Sequence, residues 1–173
     1  MQLIEDLFCQ PFVRSHTCGR GDYLLREGET EYHFYRVETG AVRIFRLTET
    51  EEQSIRFGYA GSLVTSISSF LTGTPSGFFI QALRKTTVLS VHKNRLDEYL
   101  AANPHAWGNY AGLLAATITG QLERETDLLT AAPAERLQRV LQRSPRLFQE
   151  IPLKYIASYL RMTPETLSRL RKS

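Results

Sequence analysis

Cysteine is scarce in this chain of 173 residues: Cys9 and Cys18 are the only two, with eight residues, Pro11 among them, in between. Two thiols cannot by themselves ligate a cubane iron–sulfur cluster or a structural zinc, and a disulfide is the wrong default in a reducing compartment. The four histidines, His16, His33, His92 and His105, show no i,i+2 or i,i+4 pairing, so neither a metal site nor a cofactor is expected. No apolar run approaches the ~20 residues that span a bilayer, and the N-terminus lacks the basic-then-apolar pattern of a signal peptide. The expectation is a cytoplasmic protein without a membrane partner. Also missing are a Gly-x-Ser-x-Gly elbow and a phosphate-cradling glycine loop, so the chain is not read as an enzyme.

What is present fits a globular protein: 42% hydrophobic and 23% charged residues, which is not the balance of a disordered chain. The net charge of +3 is unevenly spread. Residues 133–173 carry nine Lys/Arg against three Asp/Glu, whereas residues 1–132 carry twelve against fifteen. A basic tail on an acidic body fits a polyanionic partner, although a solvated basic helix surface gives the same count.

From Gly21 to about His92 glycines recur at short intervals, at positions 21, 28, 40, 58, 61, 73 and 77. Between them lie short runs rich in β-branched and aromatic residues: Tyr23–Leu25, His33–Val37, Ala41–Leu47, Ser54–Phe57, Phe78–Leu83 and Thr87–Val91. Regular short strands with glycine turns predict a small all-β sandwich, barrel or roll. Alternation within Ala41–Leu47 places Val42 and Ile44 inward and Arg43 and Arg46 toward water.

The period then changes. A short helix is expected over Asn94–Leu100, ending near Asn103-Pro104, followed by a long one from Ala106 to about Leu129. Along it Tyr110, Leu113, Leu114, Thr117, Ile118, Gln121, Leu122 and Glu125 recur close to every 3.6 residues. Such a helix is about 30 Å or more in length, too long for a lone roll to cover. It packs on its own β domain or, the sharper reading, against a symmetric partner. Pro133 suits the first turn of a further helix to Gln142, whose Arg136, Arg139 and Arg143 form a row that either touches phosphates or is merely solvated.

The last 22 residues carry the most chemistry. Leu153 to Leu160 reads as one helix with Leu153, Ile156, Ala157 and Leu160 on a single face, and the small Ala157 permits a close crossing. Arg161-Met162-Thr163 forms a turn. Thr163 is an N-cap, Pro164 fits the first helical position, and Glu165 places a carboxylate in the first turn. In this second helix Leu167 and Leu170 point inward, while Glu165, Ser168, Arg169 and Lys172 share the outer face. Arg169 can donate bidentately to guanine, Glu165 can accept from cytosine or orient the arginine, and Ser168 allows close approach. Thr163, Glu165, Thr166, Ser168, Arg169 and Lys172 are therefore the candidate DNA-contacting residues.

These segments resemble the Crp/Fnr superfamily over nearly the whole chain. Gly21-Asp22-Tyr23-Leu24-Leu25-Arg26-Glu27-Gly28-Glu29 is similar to the opening strand and turn of its cyclic-nucleotide-binding-type roll, and Val37-Glu38-Thr39-Gly40-Ala41-Val42-Arg43 to the next turn. Pro152 to Arg171 resembles its helix-turn-helix, and Glu165-Thr166-Leu167-Ser168-Arg169 matches the Glu-x-x-Ser-Arg pattern of the Fnr-like branch. The resemblance implies an α+β fold: a jelly-roll-like double-stranded β-roll sensor over 1–104, a dimerisation helix over 105–130, and a helix-turn-helix domain over 131–173, which departs from many members in the expected lack of a β-hairpin wing. It further implies a homodimer, joined through the long helix, that regulates transcription by binding double-stranded DNA at a palindromic site.

Departures from the family pattern bear on the effector. Ser62 stands where the acid for a ribose 2′-hydroxyl would be, and Ser76 about where the phosphate-binding arginine would be. A phosphate buried without that arginine would cost several kcal/mol, so a cyclic nucleotide is not the expected ligand. Ser62, Leu63, Thr65, Ser66 and Ser76 are candidates for a pocket holding a different small effector, the alternative being a solvated hydroxyl-rich helix with no ligand. Arg161 also occupies a turn position that usually carries glycine. The competing functional reading is a ligand-binding or protein-interaction module whose degenerate helix-turn-helix does not read DNA.

Overall fold

The structure, a computed structural model, describes residues 6–172. Eight strands form two four-stranded antiparallel sheets. One has the order β1 (Arg14–Cys18), β8 (Thr86–His92), β3 (His33–Thr39), β6 (Leu63–Val64); the other has β2 (Tyr23–Leu25), β7 (Phe79–Ala82), β4 (Ala41–Leu47), β5 (Glu52–Tyr59). Their inner faces meet over Leu25, Tyr35, Val37, Val42, Ile44, Val64, Ile80 and Val88, the interdigitated core that two packed sheets require. Gly40 turns β3 into β4 at φ 88°, and a Cβ there would lie 2.4 Å from Thr86 Oγ1 and 2.5 Å from the Lys85 carbonyl. The position needs glycine for both backbone conformation and space.

Besides the helical residues 6–8, the helices are α1 (Ile67–Thr72), α2 (Lys93–Ala102), α3 (Ala106–Leu129), α4 (Pro133–Arg143), α5 (Leu147–Glu150), α6 (Leu153–Tyr159) and α7 (Pro164–Leu170). The α3 bounds match the periodicity, and Pro133 does open α4. Strands β1 and β6 and helix α5 were not foreseen. They are short, and β1 (Arg14-Ser15-His16-Thr17-Cys18) is an edge strand without an apolar residue. No helix is long and apolar enough to cross a membrane among the described residues.

Two further clusters tie the helices to the roll. Leu7, Phe8, Phe34, Phe70, Val91, Leu96, Leu100 and Ala106 close one side. On the other, Ala41 and Leu83 join Leu137, Val140, Leu147, Ile151, Ile156, Ala157, Leu160 and Leu167 of the C-terminal helices. This second contact corrects the expected exposure of Arg43, which is only 3% exposed. Its guanidinium pairs with Glu52 at 2.7 Å, bonds Gln81 at 2.7 and 3.1 Å, and stacks on Phe45 and Tyr155. Alternation correctly turned Arg43 away from the roll interior, but helix α6, not water, covers that outer face.

Candidate functional site

At the C-terminal end α6 and α7 form a helix-turn-helix unit whose turn is locally determined. The Arg161 amide bonds the Ser158 carbonyl at 3.2 Å and the Met162 amide bonds the Ala157 carbonyl at 3.1 Å, leaving Arg161 at φ 54°, the one non-glycine residue with positive φ among those described. Arg136 of α4 donates to the Leu160 carbonyl at 2.6 Å and so caps the end of α6. Thr163 then opens α7: its hydroxyl accepts from the Thr166 amide at 3.2 Å and lies 3.1 Å from the Thr166 hydroxyl. Leu167 is fully buried against α6, whereas Glu165, Arg169 and Lys172 are exposed and Thr166 and Ser168 half-buried. Hydrogen bonds from its own backbone amide and from the Thr163 hydroxyl hold the Glu165 carboxyl below the usual carboxylate range, so it stays ionised on that outer face.

The basic row of α4 serves the fold. Arg136 is committed to the carbonyls of Leu160 and Thr130. Arg139 and Arg143 both pair with Asp127, near the end of α3, and Arg143 also reaches Glu123 at 3.2 Å. Burial works to raise the Asp127 pKa, but hydrogen bonds from Arg143 and Arg139 more than offset it and hold the carboxyl below its ordinary value.

Along α3 the predicted stripe divides in two. Tyr110 and Leu113 pack on the cluster beside the roll. Leu114, Thr117, Ile118, Gln121, Leu122 and Glu125 line a groove of about 310 Å³ against Ile67 and Leu71 of α1. Ile118 and Leu122 there are 62% and 59% exposed, an apolar strip that this chain leaves uncovered.

A separate cavity of about 310 Å³ opens between the roll and α3. Of the candidate pocket residues, Ser62, Leu63, Thr65 and Ser66 line it and Ser76 does not. Ser76 is buried beneath the wall, 2.8 Å from the Ser66 hydroxyl, donating to the Phe78 carbonyl at 3.1 Å and accepting from its amide at 3.0 Å. Ser62 accepts from the Tyr59 amide and Thr65 donates to the His33 carbonyl. The hydroxyls that looked like ligand donors mainly satisfy backbone. Phe34, Ile55, Phe78 and Ala116 form much of the remaining wall, with Arg56 as its formal charge. Sequence reasoning missed these residues because distant segments supply them. Among the described residues no group of three or more His, Cys, Asp or Glu is placed to hold a metal.

Strand β5 links cavity to helix pair. The Ser158 hydroxyl accepts from the Ser54 amide and donates to the Glu52 carbonyl, both at 3.0 Å. Arg124 of α3, buried, donates to the carbonyls of Ile55 (2.7 Å) and Ser54 (2.9 Å) and lies over the Tyr159 ring, which also packs on Phe57. Arg84 adds a second tie, to the Glu150 carbonyl and carboxylate and to the Gly40 carbonyl.

A cyclic nucleotide-binding domain profile matches residues 16–103. The nitrogen fixation regulation protein FixK of Rhizobium meliloti is 27% identical over 169 residues, covering 91% of this chain and 72% of that protein. Among solved structures, FixK2 from Bradyrhizobium japonicum superposes with a TM-score of 0.79 at 21% identity, over 92% of this chain and 83% of that one. A CooA mutant from Carboxydothermus hydrogenoformans gives 0.75 at 19% identity, over 98% and 82%.

Proposed function

The chain belongs to the cyclic nucleotide-binding domain family, within the Crp/Fnr superfamily of transcription regulators, and on that footing we propose that it is a homodimeric, sequence-specific DNA-binding regulator of the cytoplasm. Residues 1–104 serve as the sensor roll, 105–130 as the dimerisation helix and 131–173 as the DNA-reading unit. The observation that carries this reading is α7: Leu167 anchors it to α6 while Glu165 and Arg169 are exposed on it. Lys172, expected on the same helix, is exposed in the turn just past its end at Leu170. In a major groove Arg169 donates to guanine, Glu165 accepts from cytosine or steadies the arginine, Ser168 and Thr166 approach the bases or backbone, and Thr163 and Lys172 meet phosphates.

The second copy covers the groove beside α1, through Leu114, Thr117, Ile118, Gln121, Leu122 and Glu125, with Tyr110 and Leu113 holding the helix to its own roll. Two-fold symmetry then sets the recognition helices about 34 Å apart, one turn of DNA, on a palindromic site. The roll cavity receives a small effector that is not a cyclic nucleotide. That exclusion rests on Ser62 and Ser76, which stand where the ribose-binding acid and the phosphate-binding arginine would be and whose hydroxyls are engaged by Tyr59, Ser66 and Phe78.

Selection from randomised duplexes, followed by mobility shifts at rising salt, tests the proposal. Binding should weaken steeply with salt, and Arg169→Ala should lose about 1–3 kcal/mol of discrimination at one base pair in each half-site. Ile118→Asp combined with Leu122→Asp should give a monomer that no longer binds the full palindrome cooperatively. A wild-type protein that retains no duplex even at low salt would overturn the reading.

A further inference from the structure

Arg56 of β5 is a charged side chain that neither the fold nor the DNA-reading unit employs. It lines the roll cavity and also a neighbouring crevice of about 260 Å³ between β5, α3 and the C-terminal helices. Among the described residues its guanidinium has no hydrogen bond and no ion pair. The arginines around it are all engaged: Arg43 by Glu52 and Gln81, Arg124 by two carbonyls, Arg143 by Asp127 and Glu123. Glu123 is the carboxylate of the crevice, and the cavity wall has none. Arg56 reaches solvent at the mouth, yet desolvation by its surroundings pulls its pKa below the ordinary arginine value.

The backbone places it there by a bulge. Opposite β5, Ile44 faces Arg56 while Phe45 faces Ser54, so Ile55 is an inserted residue. An inserted residue breaks the alternation of a strand and re-aims the side chains beside it. Here the Ile55 carbonyl turns to Arg124 and Arg56 comes to the cavity. Gln121 of α3 lines the cavity, the crevice and the partner groove alike, and can bring a second donor to whatever Arg56 holds.

We propose that the cavity binds a small amphipathic organic acid, its carboxylate on Arg56 and Gln121 and its apolar body against Phe34, Ile55 and Phe78. The assignment rests on the reading above that the roll cavity is the effector site, and it adds the ligand class and the residue that selects it. An unpaired, partly desolvated cation facing an apolar cavity is stabilised by an anion that brings its own hydrophobic surface. About 310 Å³ is at the small end of ligand pockets, suited to one ring or a short chain with a single acid group. Binding also bears on the C-terminal helices. Arg56 lies in β5 between Ser54 and Ile55, which are tied to Ser158 and Arg124, and Phe57, which packs on Tyr159.

The test compares 3-phenylpropanoate with the uncharged 3-phenylpropanamide of the same shape, titrated calorimetrically into the full chain at neutral pH. The acid should bind about tenfold tighter than the amide, the effect of one charge-assisted pair in a partly enclosed site. Arg56→Gln should bring the acid down to the amide's affinity without moving the amide, whose binding also reports that the variant is folded. Arg56→Lys should keep a preference for the acid. Ala116→Trp, which fills the cavity from α3, should remove both ligands. Equal affinities on the wild type, or an Arg56→Gln protein that holds the acid undiminished, would end the organic-acid assignment and leave the cavity as effector site intact. Failure of both compounds to bind, or undiminished binding of both to Ala116→Trp, would end both readings together.

Discussion

The α6–α7 pair, proposed to read DNA, and the roll cavity, proposed to hold an effector, are built in opposite ways. The pair is contiguous: cap, turn, buried leucine and exposed outer face all fall between Leu153 and Lys172. The cavity is assembled from β3, β4, β5, β6, α1 and α3, and its one charge arrives through a β-bulge. A site made of neighbours in sequence keeps its chemistry visible in the spacing of side chains. A site made of segments far apart does not, because which residue faces inward depends on register.

Packing blurs this comparison, and the largest expected effect exposes it. Leu167 is fully buried in a cluster that runs from α4, α6 and α7 to Ala41 and Leu83 of the roll. Leu167→Ala should therefore remove about 2–5 kcal/mol, and remove it from one shared transition. The check is urea denaturation followed both by far-ultraviolet dichroism, dominated by the helices, and by the fluorescence of Trp107, whose ring meets Tyr110 of the cluster beside the roll. Helical signal melting well ahead of Trp107 in the variant would show the two regions to be energetically separate.

A second effect is lodged in the roll. Glu31 is 2% exposed and its Oε2 has no hydrogen-bond partner, while Oε1 accepts from the His33 amide at 2.8 Å. Desolvation pushes its pKa up to about 7, against weaker lowering by hydrogen bonds from His33, Tyr35, Ser66 and Tyr32. The folded state thus binds this proton more tightly than the unfolded chain, so the contribution is complete below about pH 4.5 and is lost as pH rises through about 7. Asp127 and Glu150, whose pKa values are lowered, act with the opposite sign, and only a difference against a variant isolates Glu31. Relative to Glu31→Gln, the wild type should lose about 3 kcal/mol between pH 4.5 and 8.5. Parallel stability curves for the two proteins would show that the acid is not desolvated in the fold.

How much was legible follows from these particulars. The strands from Tyr23 to Val91 other than β6, the bounds of α3 and the α6–α7 turn could be read from glycine spacing, period and capping. Strand β1 could not, because an edge strand reading Arg-Ser-His-Thr-Cys has no apolar face. Nor could the fate of the arginines. Sequence placed Arg43 in water and left the Arg136 row between phosphate and solvent, whereas Arg43 is sandwiched by rings and Arg136 caps a helix end. Arginine is poorly predicted because one long side chain can be solvated, paired or stacked, and tertiary contacts decide which. The serines are a related case: Ser62, Ser66 and Ser76 are spaced like pocket donors, and in the fold they make hydrogen bonds to backbone or to one another.

The smallest expected effect returns to the legible region and asks whether its one irregularity is tolerated strain. Arg161 sits at φ 54° between α6 and α7, a conformation that glycine adopts freely and a residue with a Cβ does not, at about 1 kcal/mol. Its amide still donates to the Ser158 carbonyl at 3.2 Å, and Arg136 braces the adjoining Leu160 carbonyl, so neighbouring contacts hold the residue in place. Arg161→Gly removes the penalty while keeping the backbone bond, at the expense of a more flexible unfolded chain. The variant should gain up to about 1 kcal/mol in denaturant stability, with DNA sequence preference unchanged, since the residue is not on the outer face of α7. A loss of stability on Arg161→Gly would mean that the arginine side chain itself supports the turn. The helix pair would then depend on a long-range contact just as the cavity does.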